Sequence, residues 1–530
     1  MKPRLPFIAL LFCCAAGQLL CGYAQPRQKN IVAAPQASKW EEWTMPTTQT
    51  NILTEADKIR LIKIQGVMSA LASLKQFSGV VLVAKQGQPI YKCINGFANL
   101  DYNIPNNLDC NYNTLHITQA FTAIAIMQLV ESGQINLFAP IKSYLPELPA
   151  EIGNALTVHN LLTHTSGLLD YYQVPEYREN FLKIEKISDL VKLIGTQDRP
   201  CNTSVQQPSN SGYVLLAAIV ERLSGMTYPD YIRRNLLKPA NLQQTDLYMW
   251  HEVVSNKAVG YLPDAKNELI ASPDFMGAYP FGADGVYCSA DELLKFSYAL
   301  HEGKMLSLEA QKTLYDDYTL RENPADTSGI SIGYGWKRKK IAGNNEVIFQ
   351  GGSLGGLSTQ LRRYNNDDYT VVVLCNYYNN TAEWVAERLE RALFTSDYIV
   401  PKDPAAYYVS DLITDHGVNY VVEHIDALLA ARNVKLEYVW SLNSLGYEFM
   451  YKRQYDTAET IFKANSRKFA NDPIVYDSMG DLYFQTKKYD LSRHYFELKL
   501  QLAPNDQRAK NMFKEIEKME KKTPSAKGGA

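Results

Sequence analysis

The sequence predicts an α+β protein in two parts. Residues 55–395 carry strand-type segments at both ends with helical ones between, and an all-helical stretch follows beyond about residue 435. Three observations support this. Phe77–Ala84 is a continuous apolar run closed by Lys85-Gln86-Gly87, and residues 361–376 set a polar turn, Asn365–Asp368, between two strand-like halves. Residues 119–132 (QAFTAIAIMQLVES) place apolar side chains at helical spacing and end at Gly133. Beyond 435, Gly446 and Gly480, Tyr455 and Tyr489, and Phe462 and Phe496 each recur at a period of 34, as do Asn471-Asp472 and Asn505-Asp506.

From the amino end, Lys2 and Arg4 precede an apolar run from Leu5 to about Gly17, and small residues stand at Gly22 and Ala24 before Gln25. Residues 1–24 therefore read as a signal peptide cleaved after Ala24, with 25–54 a linker, and the expected product is exported, periplasmic or secreted. A lipid anchor on Cys21 is a poorer fit, because Leu20 stands where a small residue is wanted. Cleavage takes Lys2 and Arg4 from 54 basic residues, leaving 52 against 56 acidic ones, a formal charge of −4 in place of −2. So near neutral a balance, with no basic stretch, excludes nucleic acid as the expected partner. No later apolar run reaches the length of a membrane span. Five cysteines remain, Cys93, Cys110, Cys201, Cys288 and Cys375; an odd, scattered set reads as buried thiols. The 530 residues, 46% apolar and 21% charged, are ordinary for folded domains.

The motifs inside 55–395 carry the functional reading. Residues 105–123 read PNNLDCNYNTLHITQAFTA, residues 207–216 QPSNSGYVLL, and residues 347–356 VIFQGGSLGG. Leu161–Leu168 is LLTHTSGL, Gly285–Leu293 is GVYCSADEL, and Gly333–Trp336 is GYGW. In this order and spacing they resemble the serine β-lactamase and penicillin-binding-protein-like hydrolases over most of 55–395. The resemblance implies an antiparallel sheet flanked by helices, with GYGW on a strand and GVYCSADEL turning into a helix.

The same resemblance shows what is missing. The family's nucleophile and lysine in S-x-x-K fall on His116 and Gln119, its tyrosine in Y-x-N on Pro208 with Asn210 kept, and its histidine in H-x-G on Gln350. The motif works when a serine opening a helix meets a basic group one turn later. Glutamine has no useful basicity, proline no ionisable group, and no serine in this chain is followed three positions later by a lysine. Loss of a nucleophile alone can cost about six orders of magnitude, and groups acting as a unit do not compensate one another. The expectation is therefore a catalytically inactive relative that binds a small ligand or partner through its cleft. His116, Gln119, Ser209, Asn210, Gln350, Gly351 and Gly352 are the candidate lining. The alternative is an enzyme of β-lactamase, esterase or D-amino-acid peptidase type with altered chemistry built on His116, His164 or Ser209. His164 with Ser166 reads as a backbone-bonding turn or as a relocated catalytic pair. No motif calls for a cofactor, and His116 with His164 falls short of a zinc ligand set.

The 34-residue period is the tetratricopeptide spacing, a helix, a turn and a second helix per unit. In 436–520 the glycines let helices approach and the aromatic residues fill the gap between them. Residues 396–435 read as connecting helices, 506–520 as a capping helix, and 521–530 as a frayed tail. Such a short solenoid either stabilises the fold or offers a concave surface to a peptide or protein partner.

Overall fold

The computed structural model describes residues 41–42 and 53–522, apart from 75, 198–202, 204–205, 250, 264–268, 273–279, 321–328, 343–344, 378–379, 396–403, 432–433, 437–438 and 505. The expected signal peptide, Cys21, most of the expected linker, Cys201 and residues 523–530 lie outside the described residues.

An eight-stranded antiparallel sheet organises residues 41–395. Its strands are β1 (Glu41–Glu42), β2 (Gly79–Lys85), β3 (Gln88–Asn95), β4 (Ile330–Ile332), β5 (Lys337–Lys340), β6 (Glu346–Leu354), β7 (Leu357–Tyr364) and β8 (Tyr369–Cys375). The spatial order is β1-β3-β2-β8-β7-β6-β5-β4, so β2 pairs with β8, Leu82 opposite Val372. Val81, Val83, Val371 and Val373 face α1 (Glu55–Ser73) and α7 (Thr381–Phe394), while Leu82, Ala84, Val372 and Leu374 join the larger core on the other face. A strand buried on both faces reads as an unbroken apolar run, and this is why 77–84 shows no alternation. The predicted turn Asn365–Asp368 joins β7 to β8, with Asp368 in the left-handed region (φ 53°) and ion-paired to Arg363 at 2.8 Å.

α2 (Ile117–Glu131) runs through the larger core with nearly every side chain buried, the mark of a central helix. Around it stand α3 (Val158–Leu162), α4 (Asn210–Ser224), α5 (Ala290–His301) and α6 (Leu308–Leu314). Phe121 of α2 stacks on Phe296 of α5 with ring centroids 3.9 Å apart. Ser289 caps α5 by accepting from the Glu292 N–H, matching the turn expected of GVYCSADEL. GYGW departs from expectation. Gly333–Trp336 is not a strand but the turn between β4 and β5, with Gly335 at φ 70° pressed onto α2, where a Cβ would come within 2.7 Å of the Gln119 carbonyl oxygen. Cys93, Cys110, Cys288 and Cys375 are buried and unbridged.

Among its described residues the carboxy-terminal region is built of helices: α8 (Pro404–His416), α9 (Val418–Ala430), α10 (Val439–Tyr451), α11 (Tyr455–Lys468), α12 (Pro473–Gln485), α13 (Tyr489–Leu502) and α14 (Gln507–Lys522). Its antiparallel pairs form a solenoid-like array. Gly446 lies so close to Phe462 that a Cβ would come within 2.3 Å of the ring, and Gly480 repeats the relation with Phe496 at 2.8 Å. Ala509 and Ile516 of α14 cover Phe496.

Candidate functional site

The approach to α2 is built by local polar bonds. The Asn113 side chain accepts from the Leu115 N–H at 2.9 Å, and Thr114 donates through N–H and Oγ1 to the Val286 carbonyl at 2.8 and 3.0 Å. Leu115 then takes a left-handed turn (φ 53°), which delivers His116 to the N-cap of α2. A Cβ at Gly352 would come within 2.8 Å of the His116 nitrogen, so only glycine lets β6 close on this point. The His116 imidazole is half-buried. Burial, and then the charge of Lys337, push its pKa down to about 4, so it is neutral at pH 7.

One turn on, Gln119 occupies the same face of α2 and donates from Nε2 to Asn210 Oδ1 at 3.1 Å, both side chains buried. Asn210 opens α4, and its N–H donates to Asp170 Oδ2 at 3.0 Å. The residue before it, Ser209, donates its N–H to His164 Nδ1 at 3.3 Å. The loop 163–167 holds this segment at two further points. Gln207 N–H donates to the His164 carbonyl and Gln206 Nε2 to the Thr163 carbonyl, each at 2.8 Å.

His164 sits in the left-handed region (φ 58°), tilted against the Tyr213 ring at 5.0 Å. Because Nδ1 accepts, the network assigns the proton to Nε2. Burial, then the charges of His116 and Lys337, push this pKa down to about 3. Ser166 Oγ accepts from the Leu168 N–H inside its own turn at 3.3 Å. The two side chains weighed as a relocated pair are thus each engaged elsewhere. Ser209 Oγ is buried with no hydrogen-bond partner among the described residues, and Pro208 is exposed.

Gln350 lies on β6, two residues before Gly352, but turns inward. Its Nε2 donates to the Gly335 carbonyl at 2.8 Å and its Oε1 accepts from the Gly351 N–H at 3.0 Å. At Gly351 a Cβ would meet the Gln360 side chain at 2.3 Å. The structure therefore gathers His116, Gln119, His164, Ser209 and Asn210 around the ends of α2 and α4. Gly352 lies against His116, and Gln350 is spent on the neighbouring turn.

Sequence reasoning missed three carboxylate or phenol groups behind this site. Asp284 is buried, accepts from the Tyr172 hydroxyl at 3.0 Å, and is pushed up to about 7 by burial. Burial raises the pKa of Asp170 as well. An aspartate inside the glycine-flanked FGADG run was the available signal. A fourth group, Lys337, stands opposite Phe349 in the β5–β6 register, which puts its side chain on the α7 face; burial holds its ammonium below the usual range. At neutral pH the facing groups of the site are two neutral imidazoles, two amides and a hydroxyl. Such a set can donate to and accept from a polar ligand, but it offers no serine–lysine pair for acyl transfer.

Residues 66–395 match the family model described as Beta-lactamase. Penicillin-binding protein 4* of Bacillus subtilis is 28% identical over 358 residues, which cover 64% of this chain and 78% of the relative. The crystal structure of a penicillin-binding protein from Bacillus halodurans superposes with a TM-score of 0.54 at 24% identity, over 62% of this chain and all of that one. A D-stereospecific amidohydrolase from Streptomyces sp. gives 0.51 at 19% identity, over 62% of this chain and 98% of that one; at such identities the likeness speaks to the fold. With the matched segment spanning the sheet, the helices around α2 and every motif of the site, the chain belongs to the beta-lactamase family of serine hydrolases as a homologue of the penicillin-binding proteins.

Proposed function

We propose that this chain is an exported, catalytically inactive member of its family that works by binding. The cleft at the ends of α2 and α4 takes a small polar ligand, and the carboxy-terminal tetratricopeptide-like repeats take a protein or peptide partner. One observation carries the reading: where the family relies on a lysine beside its nucleophile, the Gln119 amide is tied to Asn210, and the residue opening the helix is a neutral histidine. An amide cannot take a proton from a nucleophile at neutral pH.

The test is incubation of the purified protein with a chromogenic β-lactam, small esters and D-amino-acid peptides. No turnover above the His116→Ala variant is expected. Turnover abolished by that substitution would sink the proposal. A second reading, altered hydrolase chemistry, is favoured by Ser209, whose buried hydroxyl is unpartnered among the described residues while its N–H bonds His164. A fluorophosphonate adduct mapped to Ser209 by mass spectrometry would decide for it.

A further inference from the structure

The loop Phe281-Gly282-Ala283-Asp284-Gly285 lies behind the cleft and is fastened to both of its helices. Thr122 Oγ1 of α2 donates to the Gly282 carbonyl at 2.6 Å, and the Val286 N–H donates to Thr118 Oγ1, one turn earlier, at 3.3 Å. Gly282 (φ 97°) is pressed onto α4, where a Cβ would come within 2.5 Å of the Tyr213 carbonyl oxygen. Between these anchors Asp284 accepts from the Tyr172 hydroxyl at 3.0 Å. The Tyr172 N–H donates to Asp170 Oδ1 at 3.2 Å, and Asp170 Oδ2 accepts from the Asn210 N–H at 3.0 Å. Ser211 Oγ, donating to the Leu169 carbonyl at 2.7 Å, ties the same two segments a second time. A chain of hydrogen bonds thus runs from the Asp284 carboxyl to the first turn of α4, and through Asn210 Oδ1 to Gln119 on α2.

The surroundings of Asp284 give a charge no support. The residue is 2% exposed, and no cation pairs with it among the described residues. The titratable groups that face it are Asp170, Tyr171 and Tyr172, with Tyr177 behind them against both tyrosine rings. On α4 and on the helix Tyr228–Ile232, Tyr213 gives its hydroxyl to the Leu162 carbonyl and Tyr228 shares a hydrogen bond with Thr122. Every one of these groups is an acid, so none can balance a carboxylate. Burial, with the Asp170 charge adding to it, pushes the Asp284 pKa up to about 7. Ionisation places an unbalanced charge in the interior, and local opening toward water relieves it.

We propose that Asp284 is a proton-operated latch on the cleft: its protonated carboxyl holds the 281–286 loop to the segment that carries Asn210, and loss of the proton loosens the first turns of α2 and α4. As regulation of the cleft this rests on the binding reading given above. The latch itself is read without a ligand, so it holds or fails separately from that reading.

Amide hydrogen exchange of the full chain, followed by mass spectrometry at pH 6 and pH 8 and normalised to the intrinsic rate at each pH, tests it. Over this range His116 and His164 stay neutral, so neither contributes. Peptides covering 169–173, 209–213 and 281–286 are expected to lose about tenfold in protection, the factor for one proton released over one pH unit above the midpoint, while β2 and β8 keep theirs. Asp284→Asn still accepts from Tyr172 and cannot ionise, so its protection in those peptides is expected to be equal at the two pH values. Tyr172→Phe withdraws the hydroxyl that favours the ionised form, so its loss is expected at higher pH and to be smaller by pH 8. Thermal unfolding checks that each variant is folded. Unchanged protection in the parent, the same tenfold loss in Asp284→Asn, or a loss shared equally by β2 and β8 would overturn the proposal.

Discussion

Gln119 and Asn210 meet through a single amide hydrogen bond of 3.1 Å that ties the first turn of α2 to the first turn of α4. Asn210 passes the connection on through its N–H to Asp170, so three side chains hold the two helix ends in register. Gln119→Leu keeps the bulk and removes the donor, leaving Asn210 Oδ1 buried and unmet. The expected cost is about 1–3 kcal/mol in urea unfolding. A loss below a few tenths would mean that solvent or another donor replaces the amide.

His164 gives the site a pH dependence of definite sign. Its pKa lies at about 3, below the ordinary value of 6.5, so between these values the unfolded chain binds a proton that the folded one refuses. The stabilisation is therefore complete above pH 6.5 and drains away as pH falls toward 3; His116, at about 4, adds the same sign over a shorter window. His164→Asn tolerates the left-handed backbone, offers an oxygen to the Ser209 N–H and does not titrate. Melting temperatures between pH 4 and 7 should fall less steeply for this variant than for the parent. Parallel profiles would show that the imidazole titrates normally.

Asp284 works in the opposite direction. Burial lifts its pKa to about 7 from an ordinary 3.8, so the folded protein holds a proton that the unfolded chain has lost. Its contribution is fully present below pH 3.8 and is lost as pH rises through 7. Asp284→Asn still accepts from the Tyr172 hydroxyl. It should raise the melting temperature at pH 8 and leave it nearly unchanged at pH 5. A variant less stable at pH 8 would assign the ionised carboxylate a partner that stabilises it.

The frame was legible in the sequence because it is written in local signals. The apolar run of β2, the polar turn before Tyr369, the uniform apolarity of α2 and the spacing of Gly446 and Gly480 each report a contact made within a few residues or one repeat. The pairing of Leu82 with Val372 was not legible from pattern, since it joins the two ends of the sheet domain. Gly333–Trp336 was assigned to a strand by the family resemblance; what decides is the left-handed Gly335 seated on α2, a tertiary contact. At the site, which residue types replaced the family's was readable. That Gln350 turns to the Gly335 carbonyl while Gln119 turns to Asn210 depends on partners distant in the chain, as does the burial that raises the pKa of Asp284.

The helical repeats offer a prediction at their closest approach. Gly446 on α10 faces the Phe462 ring of α11, and an added Cβ would lie within 2.3 Å of it, well inside van der Waals contact. The ring is buried and packed with Met479 and Leu482 of the next helix, so it cannot swing aside without disturbing α12. Gly446→Ala gains helix propensity of about 1 kcal/mol in an unobstructed position. Overpacking of a well-filled core costs about 1–3 kcal/mol, and the close contact here makes that term the larger. The expected result is a net loss of stability in the carboxy-terminal helices, read as faster amide exchange in α10–α12 while the sheet strands keep their protection. Phe462→Leu in the same chain makes room for the methyl group, so the double variant should lose less than the sum of the two single ones. Strict additivity would show that the glycine and the ring do not share one packing constraint.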